Sequence, residues 1–237
     1  MSKSKGYERL IFPLDLPTYE EAERYVELLN GHVGVFKVGL ELFVKSGQEI
    51  LETIKKKTNA EIFLDLKFLD IPATVGRATK VADDLGVKFL TVHCDPCLKK
   101  AAENATKGTK ILGVTVLTSA SAEDLKTMGM SPELCDPKNL VMHRAKMAKG
   151  YGADGIVCSG EEVQDIRREF GPDFLTIVPG IRPTWSVVKG DDQSRITTPA
   201  QAISRGADYI VVGRPIRDAK NPAEAADRVA EEIEKAL

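Results

Sequence analysis

A chain of 237 residues, 43% hydrophobic and 29% charged, can bury a sizeable core as one α/β domain or two small ones. Its net charge of −2 and pI near 6.0 argue against nucleic acid or an anionic membrane as the main partner. No apolar run approaches the ~18 residues of a transmembrane helix. The polar stretch 1–6 lacks the apolar core of a signal peptide, so we expect a cytoplasmic protein.

Short apolar strands alternate with amphipathic helical stretches along the whole chain. The predicted strands are 10–15, 33–38, 61–66, 88–93, 111–116, 154–157, 174–178 and 209–212. The predicted helices are 19–29, 44–57, 72–85, 97–106, 138–149, 161–170, 199–205 and 222–237. Eight β-then-α units without a linker predict an α/β fold, a (β/α)8 TIM barrel forming a single domain over 1–237. We expect residues 1–8 to be a flexible N-terminal arm.

The third predicted strand ends in a run of charges. Asp65, Lys67 and Asp70 follow the apolar segment 61–64, and Ile71-Pro72 predicts the end of the strand and the start of a helix. Asp65 and Lys67 are two residues apart, so they project from the same face of a strand. Charges next to an apolar strand are costly without a role, which indicates either a functional cluster or a surface ion-pair cluster.

The cysteines indicate reduced structural thiols. Cys94 and Cys97 form a C-x-x-C beside His93, and Cys135 and Cys158 stand apart. A zinc site would need a second C-x-x-C or an H-x-x-x-H, and the sequence has neither. Without those further ligands we expect no metal at this motif. Thiols of cytoplasmic proteins are usually reduced, so we expect structural thiols.

Polar residues follow the other predicted strands as well. In a (β/α)8 barrel, catalytic residues lie at the carboxyl ends of the strands. The residues at those ends are Asp15, Lys37, Asp65, Lys67, His93, Thr118, Ser119, Pro179, Gly180, Arg182, Gly213 and Arg214. Lys37 lies inside an apolar run and needs an anionic partner, for which Asp65 on the neighbouring strand is the candidate. A purely structural ion pair in the barrel mouth is the alternative.

The last two strands end in glycine turns. Gly180 and Gly213 let backbone N–H groups approach an anion, and Arg214 adds a guanidinium for bidentate contact. These features predict a phosphate site, with simple tight turns as the alternative. The polar segment 182–195 is long for a βα loop, which predicts either a lid whose Gln193 reaches the phosphate or a surface excursion.

The segment 65–72 carries the most specific resemblance to a known family. Its sequence, Asp65-Leu66-Lys67-Phe68-Leu69-Asp70-Ile71-Pro72, has the D-x-K-x-x-D-I-P pattern of the orotidine 5′-phosphate decarboxylase family. The chain resembles that family over nearly its whole length. The supporting segments, in the family's order, are 36–39, 117–119, 178–182, 190–195 and 212–215.

The resemblance implies decarboxylation of orotidine 5′-phosphate to UMP in de novo pyrimidine biosynthesis, without a metal or other cofactor. It implies an alternating charge array of Lys37, Asp65 and Lys67, completed by Asp70 of a second subunit in a homodimer. Lys67 would donate a proton to C6 as carbon dioxide leaves, and Thr74 would also act across the interface. A fixed ammonium suits this chemistry because the carbanion at C6 cannot be delocalised into the ring.

The resemblance also implies a set of substrate-binding residues. They are Asp15 and Lys37 for the ribose, Thr118 or Ser119 for the pyrimidine edge, Gln193 and Arg214 for the phosphate, and Ile71, Thr74, Pro179, Arg182 and Gly213 elsewhere around the substrate. The chain departs from the family after His93, where 94–97 replaces small residues. We therefore treat His93 as a core residue that touches none of the charge array.

Three other functions fit parts of the pattern. A metal-dependent phosphosugar decarboxylase or synthase shares the Asp-x-Lys-x-x-Asp spacing but needs further acidic ligands, and the first two strands end with only Asp15 and Glu41. A catalytically silent nucleotide-binding barrel would be indicated by loss of Lys67 or Asp70, and both are present. A Schiff-base aldolase is disfavoured because the carboxylates beside Lys67 favour its charged, non-nucleophilic form.

Overall fold

The computed structural model describes residues 5–117, 120–186 and 197–237 of the chain. Eight strands form a closed barrel in which each strand pairs in parallel with the next and the eighth pairs with the first. The strands are β1 (Leu10–Pro13), β2 (Val35–Gly39), β3 (Glu61–Phe68), β4 (Phe89–His93), β5 (Lys110–Val114), β6 (Gly155–Val157), β7 (Leu175–Val178) and β8 (Tyr209–Val211). This topology confirms the predicted (β/α)8 fold.

Helices connect the strands. The α-helices are α1 (Tyr19–Leu28), α2 (Leu40–Ser46), α3 (Glu49–Lys57), α4 (Pro72–Asp84), α5 (Cys97–Asn104), α6 (Ala122–Thr127), α7 (Pro137–Gly150), α8 (Val163–Phe170), α9 (Pro199–Ser204), α10 (Arg214–Arg217) and α11 (Pro222–Glu234). Two 3₁₀ helices span Lys5–Arg9 and Pro132–Cys135. Within the described ranges, no helix is both long and apolar enough to cross a bilayer.

The segment after β2 differs from the prediction of one helix over 44–57. It contains two helices, α2 and α3, which are separated at Gly47. Gly47 has a φ of +57°, in the left-handed region that glycine adopts far more readily than other residues. The helices α6 and α10 lie outside the predicted elements as well, because helices this short show no hydrophobic periodicity.

Side-chain alternation along the strands explains how the apolar core gives way to a charged site. Seven buried side chains form an apolar layer across the lumen of the barrel: Ile11, Val35, Phe63, Phe89, Leu112, Ile177 and Val211. The residues between them belong to the larger core beneath the helices. Two residues further along a strand, the side chain faces the lumen again, nearer the carboxyl end. This periodicity places Lys37, Asp65 and Thr91 at the mouth of the barrel.

The N-terminal residues close the opposite end of the barrel. The 3₁₀ helix Lys5–Arg9 packs on α11, and the Gly6 N–H donates to the Glu234 carboxylate at 2.7 Å. A Cβ added to Gly34 would lie 2.6 Å from the Cα of Glu8, so the start of β2 approaches this helix closely. Residues 5–8 therefore depart from the expected flexible arm over 1–8, because hydrogen bonding and packing anchor them. Residues 1–4 lie outside the described ranges.

Asp83, near the end of α4, anchors the connection between α5 and β5. Its buried carboxylate accepts the backbone N–H groups of Thr106 and Lys107 at 2.7 Å and of Thr109 at 3.1 Å. Burial alone would raise the pKa of Asp83, but these hydrogen bonds outweigh burial and hold it below its usual value of 3.8. The ionised carboxylate therefore stabilises the fold.

Asp83→Asn is expected to lower the free energy of unfolding by about 2 kcal/mol at neutral pH, because an amide is a weaker acceptor for three N–H groups. The contribution is complete above the unfolded-state pKa, about 4, and is lost as the pH falls through the lower folded-state pKa. Urea unfolding between pH 7 and pH 3 measures both effects. As a control, Asp84→Asn removes an exposed carboxylate that pairs with Lys107 at 2.7 Å, and should cost less than about 1 kcal/mol. A difference for Asp83→Asn that persists undiminished at pH 3 would contradict this role.

Candidate active site

Four charged side chains form a row at the mouth of the barrel. Lys37 lies between two carboxylates, with its Nζ 3.1 Å from Asp15 Oδ1 and 3.6 Å from Asp65 Oδ2. The other oxygen of Asp65 accepts a hydrogen bond from Lys67 Nζ at 2.9 Å. The contact between Lys37 and Asp65 confirms the partner predicted from the apolar setting of Lys37. We call these four residues the charge row.

A bulge in β3 sets the position of Lys67. Leu64 pairs with Leu90 and Phe68 with Val92, so β3 advances four residues while β4 advances two. Bulges re-aim side chains and are common beside active sites. Lys67 has a φ of +49°, and among the described residues it is the only one other than glycine with a positive φ. A lysine in this left-handed region is strained, so surrounding contacts must hold it there.

Thr91 on β4 contacts Asp65 and Lys67, which both belong to the charge row and lie in the bulge of β3. Its hydroxyl donates to Asp65 Oδ1 at 2.9 Å and accepts the backbone N–H of Lys67 at 2.9 Å. Thr91 is fully buried. A search for polar residues at strand ends misses it, because it lies inside an apolar strand. Its spacing of two from Phe89 is the signal that would have placed it in the lumen.

Asp65 stays ionised although its side chain is only 14% exposed. Burial alone would raise the pKa of Asp65, but the charges of Lys37 and Lys67 lower it. Hydrogen bonds from Lys67 and Thr91 lower it further, so that the pKa lies below the usual value of 3.8. At neutral pH the carboxylate is therefore charged and faces both ammonium groups.

A cavity of about 400 Å³ opens beside the charge row. Its lining residues are Pro13, Asp15, Lys37, Pro179, Gly180, Arg182, Val211, Gly213, Arg214 and Arg217. The structure thus brings the predicted residues from the ends of β1, β2, β7 and β8 together around one space. Three arginines and a lysine against one carboxylate make this space cationic, which suits a phosphate group.

Gly213 and Arg217 shape the side of the cavity formed by β8 and α10. A Cβ added to Gly213 would lie 3.0 Å from Pro13 Cγ, so the end of β8 approaches β1 closely. Arg217 donates to Asp218 through Nε at 2.6 Å and Nη2 at 3.2 Å, and its Nη1 is 3.5 Å from the carbonyl oxygen of Asp15. The sequence prediction misses Arg217, although its spacing of three from Arg214 places both on one helical face.

A larger cavity, of about 540 Å³, lies at the other end of the barrel. Its lining residues include Tyr7, Asn30, Asn59, Lys88 and Tyr209, from the N-terminal 3₁₀ helix, the loops that precede strands, and the strand starts. In (β/α)8 barrels this end serves stability, whereas chemistry takes place at the carboxyl ends of the strands. The charge row therefore identifies the smaller cavity as the candidate active site.

Asp70, Ile71 and Thr74 lie on the rim and do not line this cavity. The Asp70 carboxylate accepts the N–H of Ile71, and the residue is exposed. Leu69 and Ile71 on either side of it are 60% and 65% exposed. Thr74 accepts a hydrogen bond from Arg77 at 3.4 Å. Within one chain, these predicted residues contact their own loop and helix.

Some predicted residues fall outside the described ranges. They are Thr118, Ser119, Gln193 and the part of the predicted lid that spans 187–195. The described start of that segment is anchored on α11. The indole N–H of Trp185 donates to Glu232 at 2.6 Å, and the guanidinium of Arg228 lies 4.6 Å from the Trp185 ring centroid.

His93, at the end of β4, is not the fully buried core residue that we expected, and the charge of Lys67 acts on its imidazole. It is only half-buried. Burial and the charges of Arg144 and Lys67 lower its pKa, so the imidazole is neutral at neutral pH.

Cys94 and Cys97 are free thiols. Burial raises the pKa of both, that of Cys94 to about 12. In the described part of the chain, no three His, Cys, Asp or Glu side chains are grouped to hold a metal ion.

Comparisons with known proteins agree with one another. A family model described as "Orotidine 5'-phosphate decarboxylase / HUMPS family" matches residues 8–229. A protein of Desulfosudis oleivorans named orotidine 5′-phosphate decarboxylase is 51% identical over 233 residues, which cover 96% of this chain and 94% of the relative. One of the same name from Geobacter sp. is 41% identical and covers 98% and 99%. The crystal structure of orotidine 5′-phosphate decarboxylase from Lactobacillus acidophilus matches with a TM-score of 0.82 at 35% identity, over 94% of this chain and 98% of that one.

Lys67→Met is expected to raise the pKa of Asp65, because it removes a positive charge and a hydrogen bond from the carboxylate. Carbon-13 NMR titration of the aspartate carboxyl groups measures this shift, with Asp65→Asn to assign the signal. Lys56→Met is the control, since that lysine is 75% exposed and pairs only with Glu52 on its own helix among the described contacts. An Asp65 pKa that is the same in Lys67→Met and in the unmodified protein would contradict the ion pair as its cause.

Proposed function

Because the chain belongs to the orotidine 5′-phosphate decarboxylase / HUMPS family, we propose that it decarboxylates orotidine 5′-phosphate to UMP with Lys67 as the proton donor. The proposal includes a reaction without a metal or other cofactor and a location in the cytoplasm. The observation that carries it is the charge row, in which Lys67 Nζ is held 2.9 Å from the buried Asp65 carboxylate. Relatives with that decarboxylase name match nearly the full length of the chain, which supports this branch of the family.

Decarboxylation at C6 is favoured by a fixed positive charge next to that carbon. The bond between C6 and the carboxyl group breaks, carbon dioxide leaves, and the electron pair stays on C6. An ammonium placed in advance stabilises this carbanion without solvent reorganisation. Lys67 then transfers a proton to C6, which gives UMP and leaves a neutral amine that regains a proton from solvent. Asp65 keeps Lys67 charged and oriented until this step.

The cationic cavity supports a role for the substrate phosphate. Arg182, Arg214 and Arg217 line its wall. Asp15 and Lys37 line it as well, and Asp65 connects Lys37 to Lys67. A phosphorylated ribose bound there would place its phosphate against the arginines and its hydroxyl groups near Asp15 and Lys37. Binding energy from a group remote from the reacting atoms can be used to lower the barrier at C6.

The rim supports a homodimer in which Asp70 and Thr74 act across the interface. Asp70 lies between Leu69 and Ile71, whose apolar side chains are exposed. Exposure of such apolar surface to water is unfavourable and often marks an interaction site. Val44 on α2, also near the carboxyl ends of the strands, is 82% exposed. A second copy that covers these side chains would bury the apolar surface and bring Asp70 to the partner's Lys67. Asp70 would then complete the alternating array as its last carboxylate.

Two alternative chemistries fit the charge row less well. A metal-dependent phosphosugar enzyme needs carboxylates that are available to a divalent cation, whereas Asp15 and Asp65 both contact lysine ammonium groups. A Schiff-base mechanism needs a neutral lysine, whereas Lys67 is paired with a carboxylate. Proton donation uses the charged form that the row stabilises.

Purified protein is expected to remove the absorbance of orotidine 5′-phosphate in the presence of EDTA. Lys67→Ala should reduce kcat by at least about 10³-fold, because it removes both the proton donor and the charge beside C6. Lys56→Ala, at an exposed lysine of α3, is the control and should keep full activity. Turnover that appears only after Mg²⁺ is added, or a Lys67→Ala variant with normal kcat, would exclude the proposed mechanism.

Mixed dimers test whether Asp70 acts across the interface. Lys67→Ala and Asp70→Ala are expected to be inactive as pure proteins. When they are unfolded, mixed in equal amounts and refolded together, about a quarter of the active sites should be intact, because half of the dimers are mixed and each has one site without a substitution. Activity of the mixture gives the measurement, and sedimentation confirms the dimer. A mixture as inactive as its parents would place Asp70 and Lys67 of the same chain in one site.

A further inference from the structure

We propose that Thr91 is a positioning residue of the reaction, whose hydroxyl fixes the Asp65 carboxylate and the Lys67 backbone in one geometry. The inference rests on the proposed function, because it takes Lys67 as the proton donor. Thr91 reaches the reaction through these two neighbours, both of which its hydroxyl contacts at 2.9 Å.

The hydrogen bonds leave one orientation for the hydroxyl. A threonine hydroxyl has one proton, and Thr91 gives it to Asp65 Oδ1. The lone pairs of Thr91 Oγ1 then face the backbone N–H of Lys67, which donates to Thr91 Oγ1. Because Asp65 Oδ1 also accepts from Lys67 Nζ at 2.9 Å, the three residues form a closed ring of contacts. The ring holds the backbone and the side chain of Lys67 at once.

The bulge explains why Lys67 needs such a support. Two extra residues in β3 interrupt its pairing with β4 between Leu64 and Phe68. At the bulge the Lys67 N–H donates to a side chain, and without that acceptor a partly buried donor would be left unsatisfied. The φ of +49° at Lys67 is retained only where surrounding contacts determine it. Thr91 supplies such a contact from the neighbouring strand.

Because of its position, Thr91 is expected to affect the chemical step and not the binding of substrate. It is fully buried, two residues beyond Phe89 of the apolar lumen layer, and it does not line the cationic cavity. Loss of its hydroxyl should therefore displace Lys67 Nζ and leave the arginines of the cavity in place. Displacing a catalytic group by about 1 Å costs roughly 10²-fold in rate. We expect the loss in kcat and almost none in KM.

The experiment compares Thr91→Val, which keeps the shape of the side chain without the hydroxyl, with Thr91→Ser, which keeps the hydroxyl. Decarboxylation of orotidine 5′-phosphate by the full-length protein should show kcat reduced about 10²-fold in Thr91→Val with KM nearly unchanged, and kcat largely restored in Thr91→Ser. The pKa of Asp65, followed by carbon-13 NMR, should rise in Thr91→Val and return in Thr91→Ser, because the hydroxyl is one of the groups that lower it.

Thr79→Val is the matched control. Thr79 is also fully buried, and its hydroxyl has no hydrogen-bond partner among the described residues, so this substitution should leave kcat and the Asp65 pKa unchanged. If Thr91→Val does not fold, Thr91→Ala and Thr91→Ser provide a second pair that differs only in the hydroxyl. The proposal would be overturned if Thr91→Val or Thr91→Ala had the same kcat as Thr91→Ser. If the unmodified protein has no decarboxylase activity, the proposed function fails, whereas the NMR comparison still decides whether Thr91 controls Asp65.

Discussion

The arrangement of the barrel mouth depends on one buried carboxylate. Asp65 faces an ammonium group on each side, Lys37 at 3.6 Å and Lys67 at 2.9 Å. Removing charges from water is costly unless each is paired and hydrogen-bonded. Asp65 meets that condition with Lys37, Lys67 and Thr91 as partners. Without it, the ammonium groups of Lys37 and Lys67 would face each other with no negative charge between them, and Lys67 would lose the carboxylate that holds it.

The closed barrel provides a rigid base for these charges. Phe63 and Phe89, in the apolar lumen layer, pack edge to face at a centroid distance of 5.8 Å. The next lumen positions on the same strands are Asp65 and Thr91, so the charged site stands directly on packed aromatic rings. A packed core resists displacement. The bulge in β3 is the local irregularity that interrupts this regular layer and places the Lys67 ammonium on the Asp65 carboxylate.

The sequence predicts those parts of the site that follow from side-chain alternation along a strand and from isolated charges in apolar segments. The charges of the D-x-K-x-x-D-I-P segment follow an apolar strand, which predicts Asp65 and Lys67 on one face, and the isolated charge of Lys37 predicts its partner. Thr91 carries a weaker signal. Its spacing of two from Phe89 places it in the lumen, but one threonine in an apolar strand fits a β-strand equally well without any role. The bulge is equally hidden, since register depends on the pairing of two strands. Likewise, Gly47 divides the predicted helix 44–57 because its φ is positive, which sequence periodicity does not encode.

The exposure of Asp70 connects the proposed chemistry to assembly. In one chain the charge row ends at Lys67, whose side chain is 30% exposed and has a carboxylate partner on one side, Asp65. An ammonium in that position retains contact with water, which weakens its interaction with a developing carbanion. Under the proposed dimer, Asp70 and the apolar rim of a second copy would exclude that water and supply the missing negative charge. Catalytic competence would then depend on association, because the group that completes the array belongs to the partner.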